Sequence, residues 1–444
     1  MTVARTICIG FMAVIAIGAI FLTLPISIAN GTWGDFTTAL FTSTSAVCVT
    51  GLVVVDTGTY FSFVGQIFIM LLIQIGGLGY MTATTFLLLI LGRRFGLREK
   101  MAIQQSLDRR GMSGVVPLVQ SIIAVTLIFE LTGAFLMIPV FAPQYGFGHA
   151  LWLSLFHSVS AFNNAGFGLF PDNFISYADS IPINLIIPLL IIFGGIGYQV
   201  IMEIYLWFRD RLMRSQECVV LSLNFKIAVR TTLFLLAVGT IAILWIEFEN
   251  PDTFGNFTLW QKILLAWFQA VVPRTAGFNS LDYGKMTDAG LFLTIVLMFI
   301  GASPGGTGGG MKTTTLRVLS SSTATVLQGK EEVVCYQRQI PMTLVIKAIA
   351  VVFGSIITVA ISTTLIAISD PDIEFIRILF EAVSAFATVG LSTNLTASLS
   401  TFSKIVLILT MYVGRVGVLL LMSALLGDPK PTKINFPEEN LLVG

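Results

Sequence analysis

The apolar residues of this chain fall into long and short blocks that alternate. Eight blocks are long, at about 6–28, 65–91, 116–141, 183–208, 226–247, 288–326 (interrupted), 343–368 and 403–426. Each is of the length, roughly 20 residues, that an α-helix needs to cross a bilayer. Between the members of successive pairs lie shorter blocks at 36–47, 150–162, 259–272 and 374–387. These are too short to span and suit re-entrant segments that enter and leave on one face. The pattern is long, short, long, four times over. It predicts an all-α membrane protein of eight transmembrane helices with four re-entrant hairpins.

The repeat is legible residue by residue. The short blocks, each with the few residues after it, read LFTSTSAVCVTGL (40–52), LFHSVSAFNNAGF (155–167), AWFQAVVPRTAGF (266–278) and LFEAVSAFATVGL (379–391). Aligned on Gly51, Gly166, Gly277 and Gly390, each has an aromatic ten residues earlier: Phe41, Phe156, Trp267 and Phe380. The glycines stand 115, 111 and 113 residues apart. The second long helices share a motif too: IGGLGY (75–80), FGGIGY (193–198), IGASPGG (300–306) and VGRVGV (413–418). Self-similarity at a fixed period marks a repeat architecture. The expected boundaries are 1–92, 93–209, 210–330 (with a broken second helix) and 331–427, and then a tail at 428–444.

Composition narrows the class. Charged residues make up 11% of the chain and hydrophobic ones 55%, against about 25% charged in ordinary globular proteins. A soluble domain could not cover its surface with so few charges. A net charge of +1 offers no field for nucleic acid. Two His and four scattered Cys (Cys8, Cys48, Cys218, Cys335) supply neither zinc spacing nor a disulfide framework. The opening MTVAR and the apolar run behind it are too long for a signal-peptide core and lack a small-x-small site, so a retained first span is expected. Basic residues gather in the connections 92–110 (Arg93, Arg94, Arg98, Lys100, Arg109, Arg110) and 209–226 (Arg209, Arg211, Arg214, Lys226), with Lys330, Arg338, Lys430 and Lys433 on the same side. The other side carries Asp35, Asp56, Asp172, Asp179, Asp282, Asp370 and Asp372, with Lys285 as the main exception. The positive-inside rule then puts both termini in the cytoplasm and has the four short blocks enter from outside.

Irregular backbone at membrane depth is tolerated only when buried in protein or lining a wet cavity. Four equivalent segments entering from one face can ring a single axis. Each would be a short helix whose C-terminal dipole end favours a cation, continuing into extended backbone whose carbonyls can replace a potassium ion's hydration shell. Glycine permits the dihedrals that turn successive carbonyls toward one axis. The competing reading is that these glycines only let helices pack closely. Four at matched positions favour the pore.

With these motifs the chain resembles the Ktr/Trk/HKT superfamily of potassium transporters, whose subunits carry four helix–pore loop–helix repeats. The likeness spans essentially the whole chain. It is nearest to the KtrB-type membrane subunits, since TrkH-type members would be expected to carry extra helices before the first repeat. The resemblance implies a potassium-binding selectivity filter at Val49–Thr50–Gly51, Asn164–Ala165–Gly166, Thr275–Ala276–Gly277 and Thr388–Val389–Gly390. The fourth reads like the start of a potassium-channel filter, and the other three are degenerate. Members that prefer sodium often have Ser for the first glycine, so Gly51 favours potassium. The resemblance further implies uptake of potassium across the cell membrane, sodium coupling as in some members, a membrane homodimer, and a separate cytosolic ring of KtrA type that alone binds nucleotide. Pro273–Arg274 departs from the pattern. A guanidinium on the axis would repel cations, so Arg274 is expected to point away from it.

The sixth span breaks at Gly301, Ala302, Ser303, Pro304, Gly305, Gly306, Thr307, Gly308, Gly309 and Gly310. Glycine costs about 1 kcal/mol and proline about 3 kcal/mol inside a helix, so this stretch leaves the helix. A flexible loop on the cytoplasmic side of the filter is a gate candidate, with a plain hinge without gating as the alternative; the family has an intramembrane loop in this span, so the resemblance implies the gate. GGTGGGMKTT is a poor phosphate-binding loop, because Met311 separates Gly310 from Lys312 and no strand precedes it. Arg415 lies within the eighth span. A cation at that depth costs at least about 2.5–3.5 kcal/mol and should face the bundle interior or water. In the repeat it replaces Gly77 and Gly195, so it is expected near the axis as a barrier acting with the loop; a structural salt bridge is the alternative. Glu130, Glu203, His157 and Glu381 read as packing or hydrogen-bonding anchors rather than ion ligands. Lys312, Arg317, segment 98–112 and the tail 427–444 are candidate mouth, partner or dimer surfaces.

Two rival functions fit less well. A secondary transporter of another small solute or cation would be built from inverted repeats, and these repeats are parallel. An intramembrane enzyme would need a convergent His/Asp/Ser set, and His157 is the only histidine in a membrane block.

Overall fold

The computed structural model describes residues 3–79, 115–213 and 221–427. The expected second half of span two, the basic connection 92–110, Arg214, segment 98–112 and the tail from 428 onward lie outside the described residues. Within them the regular elements are helices and one short hairpin, Val334–Cys335 paired with Arg338–Gln339.

Four long helices open the four repeats: Val3–Thr23, Val115–Tyr145, Leu223–Glu247 and Met342–Ser369. Each is apolar enough to cross a membrane. Each leads into a shorter pore helix, Phe36–Cys48, Phe147–Phe162, Leu259–Val271 and Phe375–Phe386. A second helix then closes the unit: Phe63–Leu78, Ile181–Ile196, Asp288–Phe299 and Thr401–Val416.

Local chemistry sets the starts of these helices. Ser62, Thr287 and Ser400 cap three of the second helices, each hydroxyl accepting the N–H of the residue three further on at 3.1–3.2 Å. Asp35 does the same for the first pore helix through Thr38 N, and Thr258 with Gln261 forms a capping box on the third. Such caps contribute about 1 kcal/mol each. Glycine sets the close approaches. A Cβ at Gly194 or Gly414 would collide with the carbonyl oxygen of Phe162 or Phe386, and at Gly76 with that of Val47. The second helices therefore run hard against the last turns of the pore helices.

Two spans differ from the expectation of continuous helices over 183–208 and 403–426. Ile181–Ile196 turns by 102° into Tyr198–Leu212, and Thr401–Val416 turns by 93° into Val418–Leu426. The hinges are Gly197 and Gly417, with φ of 99° and 87°. Gly79, at the end of the described part of the first repeat's second helix, has φ 78°. All three occupy the fifth position of the shared motif, and this left-handed backbone is open to glycine and resisted by other residues. The third repeat breaks over 301–310 as expected, and helix resumes at Thr313–Leu327.

Candidate functional site

The four motifs meet. Three pore helices end in the same way, with Val49, Asn164 and Thr388 in the left-handed conformation (φ 57°, 58° and 52°). In each the N–H of that residue and of the next bond back to the last turn, as in Val49 N to Ala46 O (3.1 Å) and Thr50 N to Ser45 O (2.8 Å). This pair of bonds is the Schellman ending, here formed without glycine at the left-handed position. Thr275 is left-handed too (φ 66°), but behind Pro273 the turn closes through Ala276 N to Val272 O instead.

Two residues on, Gly51, Gly166, Gly277 and Gly390 have φ of 92°, 70°, 70° and 89°. Their neighbours form a closed circuit. A Cβ at Gly51 would lie 2.5 Å from Ala165 O, one at Gly166 2.8 Å from Ala276 O, and one at Gly277 2.6 Å from Val389 O. At Gly390 it would overlap Thr50 O. The carbonyls of Thr50, Ala165, Ala276 and Val389 thus each stand against the glycine of the preceding repeat. The four strands surround one axis in the order of the repeats.

Side chains behind the ring hold it. Gly51 N donates to Ser45 Oγ and Gly390 N to Ser384 Oγ, both at 3.1 Å. His157 and Glu381, at the same level of their pore helices, receive the backbone N–H three residues past the glycine: Leu169 N to His157 Nε2 at 3.2 Å and Thr393 N to Glu381 Oε1 at 3.1 Å. His157 Nδ1 lies 2.7 Å from Leu153 O, which only accepts, so the proton is on Nδ1. Glu381 also accepts from Ser392 and Thr396. Both are anchors between a pore helix and its outgoing strand.

The loop 301–310 lies across one side of the ring. Gly309 N donates to Thr388 Oγ1 (3.1 Å), and Thr307 Oγ1 donates to Asn164 Oδ1 (3.2 Å). A Cβ at Gly308 would overlap the Thr275 hydroxyl. The loop is also stitched to the fourth span through Ser303 N to Gly195 O (3.0 Å), Thr307 N to Gly194 O (3.1 Å) and Tyr198 N to Gly305 O (3.1 Å). Three cationic side chains donate to its carbonyls. Arg415 Nη1 reaches Thr307 O, and its Nη2 reaches Gly76 O. Lys312 Nζ reaches Gly308 O at 2.7 Å, and Arg274 Nη2 reaches Gly301 O at 3.4 Å. Arg274 points away from the ring, toward Thr232 and the start of the loop.

Beyond the loop opens a cavity of about 820 Å³, lined among others by Gly77, Thr126, Pro304, Lys312, Lys347 and Arg415. Glu203, in the bent-off half of span four, caps the third repeat by accepting Ser222 N (2.9 Å) and Ser222 Oγ (2.7 Å). Arg317 and Arg230 both lie over the Tyr336 ring, with guanidinium carbons 5.2 and 4.7 Å from its centre. Glu130 is buried against Gln74 and Asn163. Sequence alone gives Gln74 and Asn163 a weak signal, since the matching places in the other repeats hold mostly apolar residues but also Arg274.

Comparison with known proteins agrees with this architecture. Residues 10–426 match the TrkH family model, described as cation transport protein. The chain is 40% identical over its full length to the Ktr system potassium uptake protein B of Bacillus subtilis, covering 97% of that protein. It is 39% identical to the protein of the same name from Vibrio alginolyticus, over 99% of this chain and 94% of that one. Identity to the potassium/sodium uptake protein NtpJ of Enterococcus hirae is 34%, over 99% and 97%. The fold is similar to the crystal structure of the potassium transporter TrkH from Vibrio parahaemolyticus, with a TM-score of 0.73 at 18% identity, covering 95% of this chain and 84% of that one.

Proposed function

From a chain that belongs to the TrkH family of cation transport proteins, we infer the ion-translocating membrane subunit of a Ktr-like potassium uptake system. The observation that carries this reading is the closed circuit of Gly51, Gly166, Gly277 and Gly390, with four main-chain carbonyls at its corners. Uncharged backbone oxygens set around an axis suit a dehydrated monovalent cation. The filter then comprises residues 49–51, 164–166, 275–277 and 388–390.

The loop 301–310 is the gate in this reading, and Arg415 is its latch. The loop lies across one side of the ring, bonded to Asn164 and Thr388, and a fixed positive charge beside it opposes cation passage. Transport runs down the electrochemical gradient, with sodium as a coupling or activating ion. The subunit works as a membrane homodimer with a KtrA-like cytosolic ring that binds the nucleotide. Both termini lie in the cytoplasm, and the repeats divide at about 92, 209 and 330.

Growth decides it. The chain, produced together with its regulatory subunit in cells stripped of potassium uptake, should restore growth at low potassium. Absence of rescue with the protein present in the membrane would overturn the assignment.

A further inference from the structure

Between the first and second repeats, three polar side chains meet where the repeat symmetry elsewhere places mostly apolar ones. The main-chain oxygen of Glu130 accepts from Ser158 Oγ (2.6 Å) just as that of Ile15 accepts from Ser43 Oγ (2.8 Å). Glu130 therefore occupies the place of Ile15. In the aligned motifs Gln74 stands where Ile192, Phe299 and Tyr412 stand, and Asn163 stands where Cys48, Arg274 and Ala387 stand. The fold forms this packing without a carboxylate in its other copies.

Among the described residues the cluster holds a carboxyl group with no counter-charge. Glu130 Oε1 accepts from Asn163 Nδ2 at 2.8 Å, and Oε2 accepts from Gln74 Nε2 at 3.3 Å. The same Asn163 nitrogen also faces Gln74 Oε1 (2.9 Å) and Val159 O (2.9 Å). That is three acceptors for an amide with two hydrogens. Asn163 Oδ1 is buried with no partner and lies against Gly77. No Lys, Arg or His pairs with Glu130 among the described residues. The helices Phe63–Leu78 and Ile181–Ile196 hold no titratable side chain, and the pore helix holds only His149 and His157, the latter engaged at both nitrogens. A buried carboxylate without a counter-charge is strongly unfavourable in a membrane. One added cation balances it, and a divalent ion would overshoot.

The cluster is also within reach of the ion path. Gly77, against Asn163 Oδ1, and Thr126, one helical turn before Glu130, both line the cavity below the loop. We propose that Gln74, Glu130 and Asn163 form an off-axis site that takes up one small monovalent cation, a proton or Na⁺, from that cavity. Its chemistry does not depend on which ion passes the ring. Asn163 directly precedes Asn164 of the second motif, so loading of the site fixes one shoulder of the ring.

The full-length protein in nanodiscs, at constant potassium, provides the test. Dicyclohexylcarbodiimide modifies protonated carboxyl groups in apolar surroundings, and modification of Glu130 is read by peptide mass. Labelling should fall about tenfold per pH unit above its midpoint. Protection by Na⁺ but not by choline at fixed pH identifies Na⁺ as an occupant, and dependence on pH alone identifies the proton. In Glu130→Gln the Na⁺-dependent shift in melting temperature, and the pH-dependent shift over about pH 5–9, should fall well below those of wild type. Glu130 left unlabelled across about pH 5–9, labelling indifferent to pH and Na⁺, or a Glu130→Gln protein with wild-type responses to both would overturn the site. Should that variant fail to fold, the labelling of the wild-type protein decides.

Discussion

Arg415 Nη1 donates to the main-chain oxygen of Thr307, while Nη2 of the same side chain donates to Gly76 O. One guanidinium thus ties the glycine loop of the third repeat to the second helix of the first. Hydrogen bonds from a charged donor contribute about 1.5–3 kcal/mol each. Arg415→Ala should raise potassium flux by roughly tenfold or more if the loop is the barrier. Arg415→Lys, with a single ammonium that cannot fork to both carbonyls, should fall between. Rubidium uptake into proteoliposomes measures this, with a shortened loop 301–310 as a second route to the same gain. Unaltered flux in both variants removes the gate.

Selectivity should depend on the absence of a Cβ at the ring. Gly51 has φ 92°, and its Cβ would lie 2.5 Å from Ala165 O. Serine there must shift the carbonyl that faces it, in a backbone region costing on the order of 1–3 kcal/mol for a side chain. Gly51→Ser should lower the preference for potassium over sodium by about tenfold. Gly390→Ala, which would overlap Thr50 O, should abolish transport rather than relax it. Competition between labelled rubidium and sodium reads both, and full selectivity in Gly51→Ser would take that residue out of the filter.

The convergence of the four motifs was legible because the backbone itself demands glycine at each corner of the circuit. A Cβ at Gly51, Gly166, Gly277 or Gly390 meets the next repeat's carbonyl, and the requirement recurs at constant spacing. The hinges at Gly197 and Gly417 were less legible. Apolar residues continue on both sides of each bend, so the hydropathy pattern does not change where the direction does. Only the fifth position of the motif, glycine in all three cases, carried the signal. Lys312 and Arg415 donate to main-chain oxygens, and Arg274 to one main-chain oxygen and the Thr232 hydroxyl, partners that no charge pattern announces. The Gln74–Glu130–Asn163 cluster joins residues 33 to 89 positions apart, a separation that only the fold brings together.

The anchoring column predicts unequal mutational costs at equivalent places. Glu381 is fully buried and accepts from Ser392, Thr393 and Thr396. Glu381→Leu strands those donors, at about 1–3 kcal/mol for each buried group left unpaired. Thr42 sits at the matching level of the first pore helix with a buried hydroxyl that has no partner. Thr42→Val should therefore change stability by no more than about 0.5 kcal/mol. Melting temperatures of the two purified variants should separate by several degrees, and equal losses would refute the anchor role.

Acid should loosen the junction between the first and second helices of the fourth repeat. Asp370 ends Met342–Ser369 and accepts from Ser400 N (3.2 Å), Ser400 Oγ (2.9 Å) and Ser403 Oγ (2.5 Å). Burial alone would raise its carboxyl, but the bonds from Ser403, Ser400 and Ser369 outweigh it and hold the group below its ordinary value. A carboxyl depressed in the folded state adds stability that is present above its unfolded pKa, near 3.9, and is lost as pH falls through the lower folded value. The group is half-buried and partly screened by solvent, so the effect is small, on the order of a degree in melting temperature. Wild type should therefore lose slightly more stability than Asp370→Asn between neutral pH and about pH 3. An Asp370→Asn protein with the same acid slope as wild type would place the acid sensitivity elsewhere.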